Sequence, residues 1–145
     1  EYIGILDADL EYSPNDLKNL FEEIHENNID IACGSRFIGD QKRKNLYIRT
    51  YLANKFLSMF FSIIHKEKVT DIATCLKVFR KSLFDSIDLK ANGFSIEVEI
   101  LAKTLAKSDN FKEFPISYTA RSYEDGKKIK LIDGFRYIYS ILKFK

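Results

Sequence analysis

Short apolar runs alternate with amphipathic segments along the chain, which predicts strands alternating with helices. Residues 2–6 and 29–33 are apolar runs bounded by polar or turn-forming residues, the pattern of buried strands. Between them, residues 14–27 carry apolar side chains at helical spacing. Ser13 is placed to cap this helix and Asp16 to complete a capping box. Strand, helix and strand make a βαβ unit, for which a parallel sheet is the default.

The rest of the chain continues the same alternation of elements. We predict an aromatic-rich helix over 47–65, a strand over 74–80, a short helix over 81–87, a helix over 94–107 capped by Ser95, a strand over 111–120 and a last amphipathic helix over 131–144. Pro115 cannot donate to a neighbour, which predicts an edge strand. The two aromatic-rich helices either pack on the core or lie in a membrane interface.

Composition excludes several classes of protein. With 145 residues, 46% of them hydrophobic and 30% charged, the chain has room for one domain with a real core. A net charge of +2 gives no reason to expect a nucleic-acid partner. Cys33 and Cys75 are far apart and have apolar neighbours, which predicts reduced thiols and a cytoplasmic protein. No apolar run is long enough to span a bilayer.

The start of the chain predicts a missing neighbour. The sequence opens without Met and reaches an apolar strand within a few residues. Such a strand needs partners on both sides. We therefore expect residues 1–145 to be the later part of a single, larger α/β domain.

The most chemically specific stretch follows the first strand. Asp7 and Asp9 lie one residue apart, and Glu11 comes two residues later. Mg²⁺ and Mn²⁺ take carboxylate oxygens and keep positions open for water and phosphates. If both aspartates are extended, they face the same side and can share one cation. The alternative is an ordinary turn after a strand, where Asp is common.

Two basic segments could meet that acidic stretch. Arg36 follows the second strand, at the sheet edge where open α/β folds place ligands, although it could simply close a turn. We predict that residues 121–128 form a basic loop with Gly126 as a hinge, and that Arg121, Lys127 and Lys128 could close over a diphosphate.

Further acids complete the set of candidates. Asp71 lies in the loop before the strand at 74–80. Glu97 and Glu99 are two residues apart on a predicted helix, so they cannot share a face, and only one is expected to point at a site. Alternatively, both are favourable charges at a helix N-terminus.

Five blocks together resemble one family. Residues 7–14, 34–37, 71–80, 94–99 and 121–129 occur in the order and spacing of family-2 glycosyltransferases similar to dolichyl-phosphate mannose synthase. The resemblance implies the C-terminal portion of a GT-A fold, a Rossmann-like α/β domain that binds a nucleotide sugar and Mn²⁺ or Mg²⁺. It also implies inversion at the anomeric carbon. The part of the family domain that holds the nucleotide base has no counterpart here, so we expect the isolated chain to bind nucleotide sugar poorly.

The resemblance also implies residue roles. Asp7 and Asp9 match the family's metal-binding aspartates, and Glu11 matches the position two residues on. Arg121 matches the arginine that contacts phosphate in the family. Lys127 and Lys128 match the family's basic positions less closely. The reason is that this loop is longer than the family's Arg-x-x-Gly-x-Ser-Lys and has lysine in place of serine. Arg36 and Asp71 match positions that line the site in the family. The candidate catalytic residues are Asp9, Asp71, Glu97 and Glu99.

Several functions remain open at this point. Transfer to a polyprenyl or dolichyl phosphate needs no strong base, because that acceptor is already an anion, and it would suit peripheral contact with the cytoplasmic face of a membrane. Transfer to a sugar hydroxyl would ask Glu97 or Glu99 to take a proton. An inactive binding module would show no metal-dependent binding of a nucleoside diphosphate. A phosphotransferase or nucleotidyltransferase would leave residues 71–80 and 121–128 unexplained.

Overall fold

A computed structural model of the chain describes residues 1–40, 43–44, 47–121 and 131–145. The elements confirm the predicted α/β class, with helices and strands alternating along the chain. In order they are β1 (Tyr2–Ile5), α1 (Pro14–Glu26), β2 (Ile31–Ser35), β3 (Arg43–Lys44), α2 (Ile48–His65), β4 (Lys77–Arg80), α3 (Lys81–Phe84), α4 (Ser95–Leu105), β5 (Phe111–Pro115), β6 (Tyr118–Thr119) and α5 (Leu131–Lys143).

The main sheet is mixed, and its strand order corrects the predicted parallel pairing. Its order is β1-β4-β2-β5, and β4 runs antiparallel to both β1 and β2. The strands β1 and β2 therefore point the same way, but β4 lies between them. Val78 and Phe79 of β4 are fully buried, which suits a central strand with both faces covered. Pro115 ends β5 at an edge of this sheet, as predicted.

Two apolar clusters cover the two faces of the sheet. Side chains alternate along β4, so Val78 joins the cluster formed with α1, and Phe79 joins the one formed with α2, α4 and α5. Leu20 and Ile24 of α1 are buried against the first face. A small parallel sheet of β3 and β6 stands beside the main one. Its strand β6 leads directly into the candidate site.

The helix starts differ in part from the predictions. Ser13 caps α1, and its Oγ accepts a hydrogen bond from the backbone N–H of Asn15 at 3.2 Å. The predicted capping box is wrong, because the Asp16 carboxylate accepts instead from the N–H and hydroxyl of Ser117, at 2.9 and 2.6 Å. The predicted Ser95 cap is also wrong, since Ser95 already lies inside α4. The contact with Ser117 satisfies Asp16 and ties α1 to the segment before β6.

Helices α2 and α5 pack together on one side of the sheet. The His65 ring stacks on Phe61 with ring centroids 4.1 Å apart, and its Nε2 lies 3.1 Å from the Ile141 carbonyl oxygen. Burial lowers the pKa of His65 below its ordinary value. Across the described ranges, neither these helices nor any other is both long and apolar enough to cross a bilayer.

Candidate functional site

The acidic stretch forms a turn rather than an extension of β1. The strand ends at Ile5, Asp9 lies in a turn, and Leu10 has a φ of 65°. The expectation that Asp7 and Asp9 face one side because both are extended is therefore wrong in its geometry. The turn is closed by a hydrogen bond from the Glu11 N–H to Asp9 Oδ1 at 3.1 Å. A left-handed leucine costs about 1 kcal/mol, and such strain is held where the surroundings impose it.

Arg121 and Tyr118 hold the other side of this turn. The Glu11 carboxylate accepts from the Tyr118 hydroxyl at 2.9 Å and from the Arg121 N–H at 2.9 Å. The Arg121 guanidinium donates to Asp9 Oδ2 at 3.0 Å through Nη2. The backbone of β6 adds a bond from the Thr119 N–H to the Glu11 carbonyl at 3.0 Å. Residues more than 100 positions apart in sequence are thereby joined at one place.

These contacts already occupy two of the three predicted metal ligands. The Glu11 carboxylate accepts from Tyr118 and Arg121, and both oxygens of Asp9 accept hydrogen bonds as well, so the metal-binding roles of Asp7, Asp9 and Glu11 stay predictions. Within the part of the chain that the structure describes, no group of three or more His, Cys, Asp or Glu side chains could hold a metal ion. The carboxylates of Asp7 and Asp9 are hard-oxygen donors, a pair of the kind that fits Mg²⁺ or Mn²⁺ when water and phosphate complete the shell.

Cys75 lies near Asp7, which is exposed. Burial raises the pKa of Cys75 above its ordinary value, and the nearby negative charges of Glu97 and Asp7 raise it further. Both cysteines are free thiols, and Cys33 is buried. With its pKa raised, the Cys75 thiol is not a reactive thiolate.

Arg36 and Asp71 form a buried pair behind the site. The guanidinium donates to both Asp71 oxygens, from Nε and Nη2, at 2.7 Å each, while the Arg36 N–H adds a bond of 3.0 Å. Only 5% of Arg36 and none of Asp71 is exposed. Burial alone would lower the pKa of Arg36, but Asp71, together with Tyr12 and Tyr118, raises that pKa above its ordinary value. Their predicted contacts with substrate stay predictions, and the contact that the structure provides is with each other.

The two glutamates of α4 have different partners. Glu97 forms a buried ion pair with Lys77 of β4, whose ammonium also donates to the Thr74 carbonyl. Glu99 accepts from the N–H groups of residues 90 and 91 and from Lys103 Nζ, at 2.9, 2.6 and 2.6 Å. Glu99 therefore holds the loop before α4 in place. Of the two, Glu97 is the one whose charge reaches the Cys75 thiol beside Asp7.

Three residues of this arrangement were not among the sequence candidates. Lys77 lies within an apolar strand segment, and a buried lysine needs a carboxylate partner, which was the available signal. Tyr118 and Cys75 offered no comparable signal, because their roles depend on residues distant in sequence. Of the basic residues predicted for the late loop, Arg121 is described, whereas Lys127 and Lys128 lie outside the described residues.

Sequence comparison finds relatives along almost the whole chain. A family model described as glycosyl transferase family 2 matches residues 1–88. The chain is 32% identical to a dolichol-phosphate mannosyltransferase of Pyrococcus furiosus over 146 residues, covering 97% of this chain and 40% of that protein. It is 26% identical to the low-salt glycan biosynthesis hexosyltransferase Agl6 of Haloferax volcanii over 143 residues, covering 98% of this chain and 34% of that protein. The chain thus spans less than half the length of these two relatives.

Solved structures agree on the fold. Glucosyl-3-phosphoglycerate synthase from Mycobacterium tuberculosis, in complex with Mn²⁺, uridine diphosphate and glucosyl-3-phosphoglycerate, superposes with a TM-score of 0.66 at 12% identity. The match covers 99% of this chain and 49% of that one. The phosphoglyceric acid complex of the same enzyme gives a TM-score of 0.68 at 14% identity. These similarities confirm the predicted GT-A type of α/β fold.

Proposed function

We propose that this chain, which belongs to glycosyl transferase family 2, carries the metal and phosphate side of a site that moves a hexose from a nucleotide-diphosphate sugar to a polyprenyl or dolichyl phosphate. The observation that carries the proposal is the contact between Arg121 and Asp9 at 3.0 Å. It brings a basic residue suited to phosphate next to carboxylates suited to a divalent cation. The names of the Pyrococcus mannosyltransferase and the Haloferax hexosyltransferase support a hexose as the transferred group.

Asp7 and Asp9 would hold the divalent cation, Mn²⁺ or Mg²⁺. When bound, such a cation neutralises the charge that grows on a leaving diphosphate. Mn²⁺ accompanies uridine diphosphate in the Mycobacterium synthase, which supports manganese as the first choice to test. Arg121 would supply forked hydrogen bonds to phosphate oxygens. Lys127 and Lys128 would bind the same phosphates as point charges.

Both glutamates of α4 are already held by ion pairs or hydrogen bonds, which favours a phosphate acceptor over a sugar hydroxyl. A hydroxyl acceptor needs a carboxylate that can take its proton. Glu97 is ion-paired with Lys77, and Glu99 is held by Lys103 and two backbone N–H groups. An acceptor phosphate needs no such base, since it is an anion near neutral pH. With two free cysteines, the protein would act in a reducing compartment, at the cytoplasmic face of a membrane.

The acceptor is tested by a panel of reactions with the full-length protein. Radiolabelled GDP-mannose, UDP-glucose and UDP-N-acetylglucosamine are each incubated with Mn²⁺ and either a polyprenyl phosphate or a free oligosaccharide. We expect label to enter the organic phase only with the polyprenyl phosphate and one preferred donor. Transfer to the oligosaccharide alone would refute the lipid-phosphate acceptor while leaving the sugar-transferase activity intact. Lack of transfer from every donor would count against that activity itself.

A further inference from the structure

The segment that leads to Arg121 is fastened to two other parts of the molecule. Ser117 donates to the Asp16 carboxylate of α1 through its N–H and its hydroxyl, at 2.9 and 2.6 Å. Two residues further on, the Thr119 N–H donates to the Glu11 carbonyl oxygen at 3.0 Å. The backbone on the N-terminal side of Arg121 is therefore fixed relative to both α1 and the acidic turn.

The residue between these two anchors, Tyr118, has its ring in the core. The residue is 6% exposed, and its ring centroid lies 5.4 Å from that of Tyr12. The guanidinium carbon of Arg36, which Asp71 holds by forked bonds, lies 4.9 Å from the Tyr118 centroid. A phenylalanine ring would make both ring contacts. Packing alone therefore does not account for the hydroxyl of Tyr118.

That hydroxyl fixes the carboxylate that contacts Arg121. It donates to Glu11 Oε2 at 2.9 Å, whereas Glu11 Oε1 accepts from the Arg121 N–H at 2.9 Å and from its Nε at 3.4 Å. The Glu11 side chain is 13% exposed, so water has little access to replace the hydroxyl. Because the core holds one oxygen of Glu11, the other faces Arg121 in a single orientation. The Arg121 guanidinium then reaches Asp9 Oδ2 at 3.0 Å.

We propose that Tyr118 is a positioning residue whose hydroxyl, acting through Glu11, holds the Arg121 guanidinium where it would meet a phosphate beside Asp9. The proposal rests on the proposed function, because it takes Arg121 as a phosphate-binding residue. The Arg121 side chain is 40% exposed and has several rotatable bonds. Ordering such a side chain on binding costs affinity, and holding it beforehand removes part of that cost.

Calorimetry of nucleoside diphosphate binding tests the proposal. The full-length protein is titrated with UDP and with GDP at saturating Mn²⁺, so that a change in metal affinity does not enter the result. Tyr118→Phe keeps the ring and deletes the hydroxyl. We expect it to raise the dissociation constant of the bound nucleotide by about three- to tenfold, because a loosened Arg121 must be ordered on binding. Tyr2→Phe is the matched control, since it deletes a tyrosine hydroxyl that lies 3.5 Å from His25 Nδ1 instead of on Glu11. It should leave the affinity unchanged.

The same deletion in an Arg121→Gln background shows whether Arg121 carries the effect. Arg121→Gln alone should weaken nucleotide binding by about tenfold or more, because a charged donor to phosphate is lost. Adding Tyr118→Phe should then change the affinity by less than about twofold, since no guanidinium remains to be positioned. Denaturant titration should show that every variant is folded.

Three results would overturn the proposal, and they separate it from the proposed function. Equal weakening by Tyr118→Phe in both backgrounds would mean that the hydroxyl acts through another contact, such as that with Arg36. Unchanged binding by Tyr118→Phe would mean that the hydroxyl does not position Arg121. In both cases nucleotide binding by the wild type would leave the proposed function intact. A wild type that binds neither UDP nor GDP would instead refute the phosphate site and the positioning role together.

Discussion

Arg121 and a divalent cation would compete for the same carboxylate. The guanidinium reaches Asp9 Oδ2 at 3.0 Å, and Asp9 is one of the two aspartates that would hold the metal. Replacing Arg121 with Gln removes both a competing ion pair and a neighbouring positive charge. We therefore predict that Arg121→Gln binds Mn²⁺ more tightly than the wild type when no phosphate is present.

The size of this gain follows from how exposed the pair is. The Arg121 side chain is 40% exposed and that of Asp9 is 21% exposed, so solvent screens their attraction. Measured pairs of this kind are worth about 0.2–1 kcal/mol. Because 1.4 kcal/mol corresponds to about tenfold in an equilibrium constant, the Mn²⁺ dissociation constant should fall by a factor of about 1.4 to 5.

Free Mn²⁺ can be counted by electron paramagnetic resonance, which reads binding without any enzymatic activity. Arg136→Gln is the matched control, because it removes one exposed positive charge from α5, where Arg136 lies 3.5 Å from Asp133. Arg121→Gln should titrate at a lower Mn²⁺ concentration than both the control and the wild type. Unchanged or weaker Mn²⁺ binding by Arg121→Gln would refute competition for Asp9.

Three other predictions concern the interior of the domain. Glu97→Gln should lower the free energy of unfolding by about 3–5 kcal/mol, because it leaves the buried Lys77 without its partner. Adding Lys77→Met to this variant should restore much of that loss, and denaturant titration of the wild type and the two variants checks this. Arg36→Lys should cost about 1–3 kcal/mol in the same assay, since the fully buried Asp71 loses one of two forked bonds, and an unchanged midpoint would contradict the argument. The pKa of His65 is lowered in the folded state, so its contribution to stability is present above about pH 6.5 and is lost as pH falls through the folded pKa; the fall in denaturation midpoint between pH 7 and 5 should be smaller in His65→Gln.

Local patterns predicted the elements well because helix periodicity and caps act over a few residues. The first helix was expected over 14–27 and runs Pro14–Glu26. The order of strands was less accessible, since β4 inserts between β1 and β2 through pairings made far along the chain. A βαβ pattern specifies direction and handedness, but it does not say which strand lies between. The parallel orientation of β1 and β2 was therefore predictable and their separation was not.

The site shows the same division between local and distant information. Asp7 and Asp9 could be found from their spacing after an apolar strand. The contacts of Glu11 could not be predicted, because its partner Arg121 is 110 positions away and no local rule selects that partner. The pairing of Arg36 with Asp71 spans 35 positions and was missed for the same reason. Candidate residue types were visible in the sequence, whereas their partners required the fold.

The most direct test of the central claim is sugar transfer by the full-length protein carrying Asp9→Asn, measured with Mn²⁺, the preferred nucleotide sugar and polyprenyl phosphate. Asp88→Asn is the matched control, because Asp88 is a 77% exposed side chain paired with Lys90 on the surface. We predict that Asp9→Asn lowers kcat by about 100-fold or more, the size expected when charge stabilisation of a leaving group is lost, while Asp88→Asn transfers at the wild-type rate. Wild-type transfer by Asp9→Asn would contradict the assignment of this turn as the metal-binding part of the site.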